Sequence, residues 1–218
     1  MFTGIIQAIG TLAGIESRGG DVRLQVRSGD LPLADVALGD SIATNGVCLT
    51  VIERTGDGFR ADVSRETLSL TTLQELRPGS RLNLEKALTL STPLGGHLVS
   101  GHVDGVGRVL ERHEDARSIR FRIEAPPELA RYIAHKGSIC VDGVSLTVNG
   151  IEGAVFELNI VPHTLQQTIL DEYTSGTRVN LEVDLIARYL ERLLLGEQAA
   201  DASGGVTLEL LEKSGFLR

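Results

Sequence analysis

The chain has 218 residues, a formal net charge of −8 and only 4% aromatic residues. No basic stripe with interleaved aromatics and no long apolar stretch occurs, which argues against a nucleic-acid partner and against a membrane span. The 25 glycines, 6 prolines and many short β-branched runs predict an all-β fold with tight turns.

The first predicted strands lie within residues 1–88. Residues 22–26 alternate apolar and polar side chains, as do residues 59–63 and 82–85. This period of two is typical of half-buried strands. A turn is predicted at residues 56–58, and a short helical turn at residues 31–36.

The same pattern returns 97 positions later along the chain. Residues 46–51, GVCLTV, recur as residues 143–148, GVSLTV, and Gly4 and Gly10 recur as Gly101 and Gly107. No insertion is needed between residues 1 and 88, which indicates an internal duplication. The second copy has predicted strands at residues 119–123 and 179–182 and a helical turn near residues 128–135. Each copy of about 90 residues thus predicts a small sandwich or barrel.

A different periodicity begins after residue 185. Leu185, Ile186, Tyr189 and Leu190 fall at three- and four-residue spacings and predict an amphipathic helix. The sequence leaves open whether its apolar stripe packs on the protein's own barrel or on other subunits. Residues 206–211 are predicted to form a short terminal helix.

Four motifs resemble the riboflavin synthase family, in the form built from two lumazine-binding repeats. They are MFTGI at residues 1–5, NGVCLTV at 45–51, GGHLVSGHVDG at 95–105 and DGVSLTV at 142–148. Their order and spacing agree over residues 1–200, which makes the match far more specific than one short pattern.

The resemblance implies two similar Greek-key six-stranded antiparallel β-barrels and a C-terminal α-helix. The expected domains are an N-terminal barrel at residues 1–90, a C-terminal barrel at 91–186 and a helical oligomerisation segment and tail at 187–218. The implied reaction converts two 6,7-dimethyl-8-ribityllumazine molecules into riboflavin and 5-amino-6-(D-ribitylamino)uracil by four-carbon transfer.

The resemblance also implies the assembly and the ligands. A homotrimer would form through the C-terminal helix, and each active site would lie between the N-terminal barrel of one subunit and the C-terminal barrel of its neighbour. Each barrel would bind one lumazine, and no metal or redox cofactor is expected. Association with lumazine synthase is left open.

The resemblance assigns substrate-binding residues to two pockets. The N-barrel pocket is expected to use Gly4, Ile5, Ile6, Cys48, Leu49, Thr50, Asp62, Val63, Ser64, Arg65, Glu66 and Thr67. The C-barrel pocket is expected to use Gly101, His102, Val103, Lys136, Ser145, Leu146, Thr147, Val161, Pro162, His163, Thr164, Leu165 and Gln166. The threonines that the repeats share are expected to bind the ribityl chain or the pyrimidine edge.

Donor and acceptor lumazines need different surroundings, so the positions at which the repeats disagree are the catalytic candidates. His102 is interpreted as a proton-transfer group because histidine titrates near neutrality, with a structural core histidine as the alternative. Cys48 is either a transient nucleophile or a small buried hydrophobe. Ser41 either activates water or serves a turn.

Three further candidates carry the same ambiguity. His97 is either catalytic or structural. Phe2 is either placed over the substrate or a hydrophobic anchor, and Lys136 is either a solvated loop residue or one that reaches across the subunit boundary.

The proposed chemistry begins with removal of a proton from the acidic C7 methyl group of one lumazine. Hydride transfer and cycloaddition both remain open for the joining step.

Three rival functions fit the sequence less well. A lumazine- or flavin-binding antenna protein would keep one working pocket and act as a monomer, whereas both motifs are retained here. A flavin-binding barrel of a ferredoxin-reductase-like enzyme needs a nucleotide-binding βαβ unit that does not follow. A purely structural barrel gives no reason for paired hydroxyl-rich motifs. The two cysteines, Cys48 and Cys140, and the absence of a signal-peptide pattern favour the cytoplasm.

Overall fold

The two repeats form two antiparallel β-structures with the same strand order, in a computed structural model that describes residues 1–196. The first repeat contains β1 (Ala8–Arg18), β2 (Asp21–Arg27), β3 (Ser41–Thr44), β4 (Val47–Thr50), β5 (Glu53–Arg54), β6 (Gly58–Val63), α1 (Arg65–Leu70), a 3-10 turn (Thr72–Glu75) and β7 (Arg81–Lys86). The second contains β8 (Gly105–Asp115), β9 (Ser118–Glu124), a 3-10 turn (Pro127–Tyr132), β10 (Ser138–Val141), β11 (Val144–Glu152), β12 (Val155–Ile160), α2 (Pro162–Gln167), a 3-10 turn (Ile169–Glu172) and β13 (Arg178–Val183).

The second repeat is a closed six-stranded barrel in the order β10-β11-β12-β9-β8-β13. The first is a seven-stranded sheet in the order β4-β3-β7-β1-β2-β6-β5. β4 and β5 together correspond to β11, and only Val51 and Ile52 separate them although they occupy opposite edges. The sheet therefore curls back on itself. The predicted all-β duplicated fold is confirmed: the second repeat is a closed six-stranded barrel, and the first, called the N-terminal barrel below, is a half-barrel sheet in which one strand is broken in two.

Strand alternation builds a separate apolar core inside each barrel. Leu24, Phe59 and Leu82 lie in the first core, and Phe121 and Phe156 lie in the second. All five side chains are at most 1% exposed. Burying each such side chain stabilises the fold by roughly 1.5–3 kcal/mol, so the cores hold the strands on which the candidate sites lie.

A second buried layer joins the two barrels, and it is polar. The Nδ2 group of Asn83 donates to the carbonyl of Asp142 at 2.9 Å, and that of Asn180 donates to the carbonyl of Asn45 at 2.8 Å. Each asparagine oxygen accepts a backbone N–H from the 3-10 turn of the other repeat. The two repeats are therefore related by an approximate twofold axis within one chain.

Two equivalent glycines meet at this axis. A Cβ added to Gly46 would lie 2.7 Å from the backbone nitrogen of Gly143, and one added to Gly143 would lie 2.9 Å from that of Gly46. Both residues have a positive φ, of 76° and 85°. Only glycine combines this backbone with so close an approach.

The helical predictions had different outcomes. The turn expected near residues 128–135 is found at Pro127–Tyr132, whereas residues 31–36 form no helix. The amphipathic helix is confirmed as α3, Leu185–Leu194. The short helix predicted at residues 206–211 lies outside the described residues.

The chain divides into a compact unit that holds both barrels, Met1–Asp184, and a second unit that begins at Leu185. Within the second unit, Ile186, Tyr189 and Leu193 of α3 are 60–74% exposed. None of the helices in residues 1–196 has the length and hydropathy needed to cross a membrane.

Candidate functional site

The segment that precedes each barrel's first strand crosses to the other barrel. The backbone nitrogen of Cys48 on β4 donates to the carbonyl of Gly101 at 2.8 Å, and that of Ser145 on β11 donates to the carbonyl of Gly4 at 2.8 Å. Val103 packs against the first core, and Ile6 packs against the second.

This exchange corrects the sequence-based division into two pockets. The sequence placed Gly4, Ile5 and Ile6 in the N-barrel pocket and Gly101, His102 and Val103 in the C-barrel pocket. The structure places Gly4 and Ile6 against the C-terminal barrel, and Gly101, His102 and Val103 against the N-terminal barrel. Local sequence carries no signal for the exchange, because it depends on contacts between residues about 50 and 140 positions apart.

A cavity of about 210 Å³ lies where the crossing segment meets the N-terminal barrel. It is lined by Val47, Cys48, Glu66, Thr67, Leu70, Thr71, Gly101, His102 and Val103. Strand β4, helix α1 and the crossing segment thus each form one wall. The sequence brought Cys48, Glu66, Thr67 and the crossing residues forward as candidates, and the structure brings them together.

Strand alternation explains which residues of β4 and β11 can reach a ligand. Cys48 and Thr50 are partly exposed or exposed, whereas Leu49 is 3% exposed and lies in the first core. Leu146 likewise lies in the second core. Because successive side chains point to opposite faces, the side chains of Leu49 and Leu146 face the barrel interiors. The expectation that these two residues line the pockets stays a prediction.

Three cavity residues were missed by the sequence analysis: Val47, Leu70 and Thr71. Thr67, Leu70 and Thr71 follow the i, i+3, i+4 spacing of one helix face. That spacing was the available signal, but the sequence analysis predicted no helix at α1. Ser64 caps this helix by accepting from the backbone nitrogen of Thr67 at 3.1 Å.

The equivalent place on the C-terminal barrel contains a histidine–serine pair. Nδ1 of His97 lies 2.7 Å from Oγ of Ser145. Burial disfavours the charged imidazolium and lowers the pKa of His97, while Asp184 acts in the opposite direction. His97 is 9% exposed, and its Nε2 has no hydrogen-bond partner among the residues that the structure describes. A neutral imidazole in this position can accept a proton from the serine hydroxyl.

Each crossing segment is held by a buried glutamate of its own repeat. Oε1 of Glu182 accepts from the nitrogen and the hydroxyl of Ser100 at 2.6 and 2.7 Å, and Oε2 accepts from the nitrogen of Gly101 at 2.9 Å. Glu85 binds Thr3 and Gly4 in the same way, at 2.7, 2.7 and 3.0 Å. Burial is the main cause that raises the pKa of both carboxyl groups.

Phe2 and Ser41 do not line the Cys48 cavity. Phe2 is 0% exposed, pairs with Val99 and packs in a small cluster with Ala43 and Cys140. Its ring also lies next to Gly101, behind the cavity wall. Ser41 lines a different cavity, of about 370 Å³, beside the ion pair between Lys86 and Asp35.

The remaining predicted binding residues surround helices α1 and α2. Asp62 forms a two-point ion pair with Arg23, at 2.7 and 2.9 Å, and Val63 lies in the first core. The backbone N–H of Arg65 donates a hydrogen bond to Oδ1 of Asp21. The other members lie at the end of β12 or within α2, namely Val161, Pro162, His163, Thr164, Leu165 and Gln166.

Lys136 and Thr147 are exposed residues of the C-terminal barrel. Lys136 has a positive φ of 64° where the first repeat has Gly39, and Thr147 pairs with Ser138 on the outer face. Among the residues that the structure describes, no group of three or more histidine, cysteine, aspartate or glutamate side chains is placed to hold a metal ion.

Comparison with known proteins agrees with the duplicated architecture. The family model for the lumazine binding domain matches the chain twice, over residues 3–87 and 100–184. Riboflavin synthase of Photobacterium phosphoreum is 48% identical over 217 residues, with 100% of both chains covered.

Two solved structures resemble the fold. The structure of LumP complexed with riboflavin has a TM-score of 0.77 and 27% identity, covering 84% of this chain and 99% of that chain. LumP complexed with 6,7-dimethyl-8-(1'-D-ribityl) lumazine has a TM-score of 0.74 and 26% identity, with the same coverage.

Proposed function

The chain belongs to the riboflavin synthase family, and from this membership we propose that it converts two molecules of 6,7-dimethyl-8-ribityllumazine into riboflavin and 5-amino-6-(D-ribitylamino)uracil. The two substrate molecules contain all the atoms of the two products, so the four-carbon transfer needs no external oxidant or reductant. The observation that carries the proposal is the pair of related sites in one chain, each built on the same strand position but with different reactive groups.

Two related sites suit a reaction between two identical molecules. Holding the reactants in a productive orientation removes about 7–11 kcal/mol from a bimolecular barrier. The site at the N-terminal barrel offers Cys48, His102 and Glu66, and the site at the C-terminal barrel offers Ser145 and His97. This difference in chemistry allows one lumazine to act as carbon donor and the other as acceptor.

The reaction begins when a base removes a proton from the C7 methyl group of one lumazine, and the ring system delocalises the resulting carbanion. His102 is the candidate base at the N-terminal barrel. A nucleophile adds to the second lumazine, and the two rings then join by two new carbon–carbon bonds into one adduct. Fragmentation of that adduct returns the nucleophile and the proton and releases both products.

His97 and Ser145 supply the matching functions at the C-terminal barrel. A neutral His97 takes the hydroxyl proton of Ser145, whose oxygen either adds to the lumazine ring or orients a water molecule that does so. Burial lowers the pKa of His97 and so favours the unprotonated imidazole that this role requires.

The complete site forms between two chains of a homotrimer, with the N-terminal barrel of one facing the C-terminal barrel of the next. The exposed apolar residues of α3 support this assembly, since an apolar stripe on a helix is stabilised by burial against another subunit. We also expect the enzyme to act in the cytoplasm. Association with lumazine synthase stays an untested prediction.

The decisive experiment is incubation of the purified protein with 6,7-dimethyl-8-ribityllumazine alone. We expect riboflavin and the ribitylaminouracil to appear in equal amounts without an added cofactor. Binding of lumazine without any flavin product would reject the enzyme and favour the antenna protein. A requirement for a nicotinamide or metal cofactor would also reject the proposal.

A further inference from the structure

A buried glutamate on the last strand of each repeat binds the segment that crosses to the opposite barrel. We propose that Glu182 and Glu85 are positioning residues: Glu182 fixes the segment that presents His102 to the N-barrel site, and Glu85 fixes the segment that completes the C-barrel site. This inference deepens the proposed function and rests on it.

The contacts of Glu182 form a continuous path to the cavity. Its two carboxylate oxygens accept from two consecutive backbone nitrogens, those of Ser100 and Gly101, so the local backbone has little freedom. The carbonyl of Gly101 in turn accepts from the nitrogen of Cys48 at 2.8 Å. His102 follows directly, and its own nitrogen donates to the hydroxyl of Ser100 at 3.3 Å.

The crossing segment is closely packed at Gly101. A Cβ on Gly101 would lie 2.7 Å from Cβ of Cys48 and 2.8 Å from the ring of Phe2, and Gly101 has a φ of 80°. The segment is thus held from below by Phe2, from one side by β4 and through its backbone by Glu182. Removing the carboxylate releases two backbone donors together and frees His102 to leave the cavity.

The energetic cost of these residues argues for a positional role. Glu182 is 4% exposed and Glu85 is 2% exposed, and neither forms an ion pair within residues 1–196. A buried carboxylate without a counter-ion is expensive, and hydrogen bonds to a charged acceptor are about twice as strong as neutral ones. The chain therefore carries an unfavourable group at two equivalent positions where it obtains strong, directional bonds to the crossing backbone.

The repeats make the inference specific, because the two glutamates act on different sites. Glu85 holds Thr3 and Gly4, and the carbonyl of Gly4 accepts from Ser145 beside His97. Loss of Glu182 should thus impair the Cys48 and His102 site. Loss of Glu85 should impair the Ser145 and His97 site, although Glu85 belongs to the N-terminal barrel.

The first experiment compares Glu182→Ala with Val179→Ala in the full-length protein. Val179 lies on the same strand, is 0% exposed and faces the C-barrel core, so its truncation weakens the same barrel without touching the crossing segment. We expect Glu182→Ala to lower kcat for riboflavin formation at least tenfold, and Val179→Ala to keep kcat within twofold of the parent. Equal kcat values for the two variants at temperatures where both are folded would overturn the proposal.

Glu182→Gln provides the conservative comparison. Its amide oxygen keeps the bonds to Ser100, while its amide N–H group faces the N–H of Gly101. We therefore expect a kcat between those of the parent and Glu182→Ala. A kcat no higher than that of Glu182→Ala would contradict a role that depends on accepting these bonds.

A binding measurement separates failure of this inference from failure of the proposed function. Calorimetric titration with riboflavin, which needs no turnover, should show weakening of one class of site by at least tenfold in Glu182→Ala and of the other class in Glu85→Ala. If the parent binds riboflavin but forms none from lumazine, the proposed function fails, and these titrations still test the positioning role. Two variants that weaken the same site would overturn it.

Discussion

At the scale of single residues, the two sites differ in what their reactive groups touch. Cys48 and His102 meet at an open cavity, whereas Ser145 and His97 are hydrogen-bonded to each other in a mostly buried place. All four residues were candidates from the sequence, but the pairing of Ser145 with His97 could not be predicted, because the two lie 48 positions apart along the chain.

His102→Gln tests the proposed base. Glutamine keeps a polar side chain of similar size but cannot take up a proton near neutral pH, so we expect kcat to fall by about 10²–10⁴-fold, with a much smaller change in the lumazine dissociation constant. Steady-state kinetics and fluorescence titration measure the two quantities. An unchanged kcat would remove His102 from the mechanism. The control is His113→Gln, at an exposed position of strand β8.

Asp142 gives a residue-scale prediction about pH. Burial raises its pKa to about 7, partly offset by hydrogen bonds from Tyr173 and from the nitrogen of Asn180. The folded protein therefore binds a proton between about pH 4 and pH 7 that the unfolded chain has lost. The free energy of unfolding should fall as pH rises through this window, by at most about 1.4 kcal/mol per pH unit for this group.

Asp142→Asn should remove this contribution and raise stability above pH 7. The variant fits the site, because Asn45 occupies the equivalent position in the first repeat with a similar positive φ. Its Oδ1 accepts from the backbone nitrogen of Asn83, just as Oδ1 of Asp142 accepts from that of Asn180. Urea unfolding at pH 5 and pH 8 measures the effect, and the parent supplies the contributions of all other groups. Parallel pH dependence in the two proteins would show that Asp142 is ionised throughout.

At the scale of elements, strands β7 and β13 show where pattern reading reaches its limit. Their alternation correctly predicted strands, and it implied that the polar positions face water. Asn83, Glu85, Asn180 and Glu182 are instead 0–4% exposed. Each strand is covered by its own core on one face; on the other, the asparagine contacts the other repeat and the glutamate contacts the crossing segment of its own repeat. A two-residue alternation of apolar and polar side chains predicts the strand, but it does not predict which part of the protein covers the polar face.

The other element of consequence is helix α3. Leu193→Glu places a charge on its apolar face, where Leu193 is 74% exposed in the single chain. We expect the variant to shift from trimer to monomer in sedimentation velocity and to lose at least tenfold in turnover, because the proposed site needs two chains. The matched control is Arg192→Glu on the polar face, which should stay trimeric and active. A monomeric Leu193→Glu with full turnover would show that one chain holds a complete site.

At the scale of the whole molecule, the asparagine pairs hold the two barrels together. Asn180→Ala leaves the carbonyl of Asn45 and the nitrogen of Thr72 buried without these partners. At about 1–3 kcal/mol for each unsatisfied group, the free energy of unfolding should fall by about 2–6 kcal/mol. Asn159→Ala, at an exposed position of β12, should change it by less than about 0.5 kcal/mol. Equal effects in urea unfolding would show that the interface adds little.

Duplication, strand alternation and the terminal helix were all visible in the sequence, because each is a local or periodic pattern. The placement of Gly4 and Gly101 on opposite barrels was not, since it follows from tertiary contacts such as the bond between Ser145 and Gly4. The direction of the Leu49 and Leu146 side chains, which face the barrel cores, follows from strand alternation and could have been predicted from the sequence.

The exchange of crossing segments has a consequence for synthesis of the protein on the ribosome. Residues 1–6 leave the exit tunnel long before the strand that receives Gly4, because that strand is not translated until residue 145. The nascent N-terminal barrel can bury its core early, but it lacks one wall of its cavity until residue 103 has emerged. The cavity at the N-terminal barrel is thus complete only after residue 103 has emerged, and the histidine–serine site at the C-terminal barrel only after residue 145 has emerged.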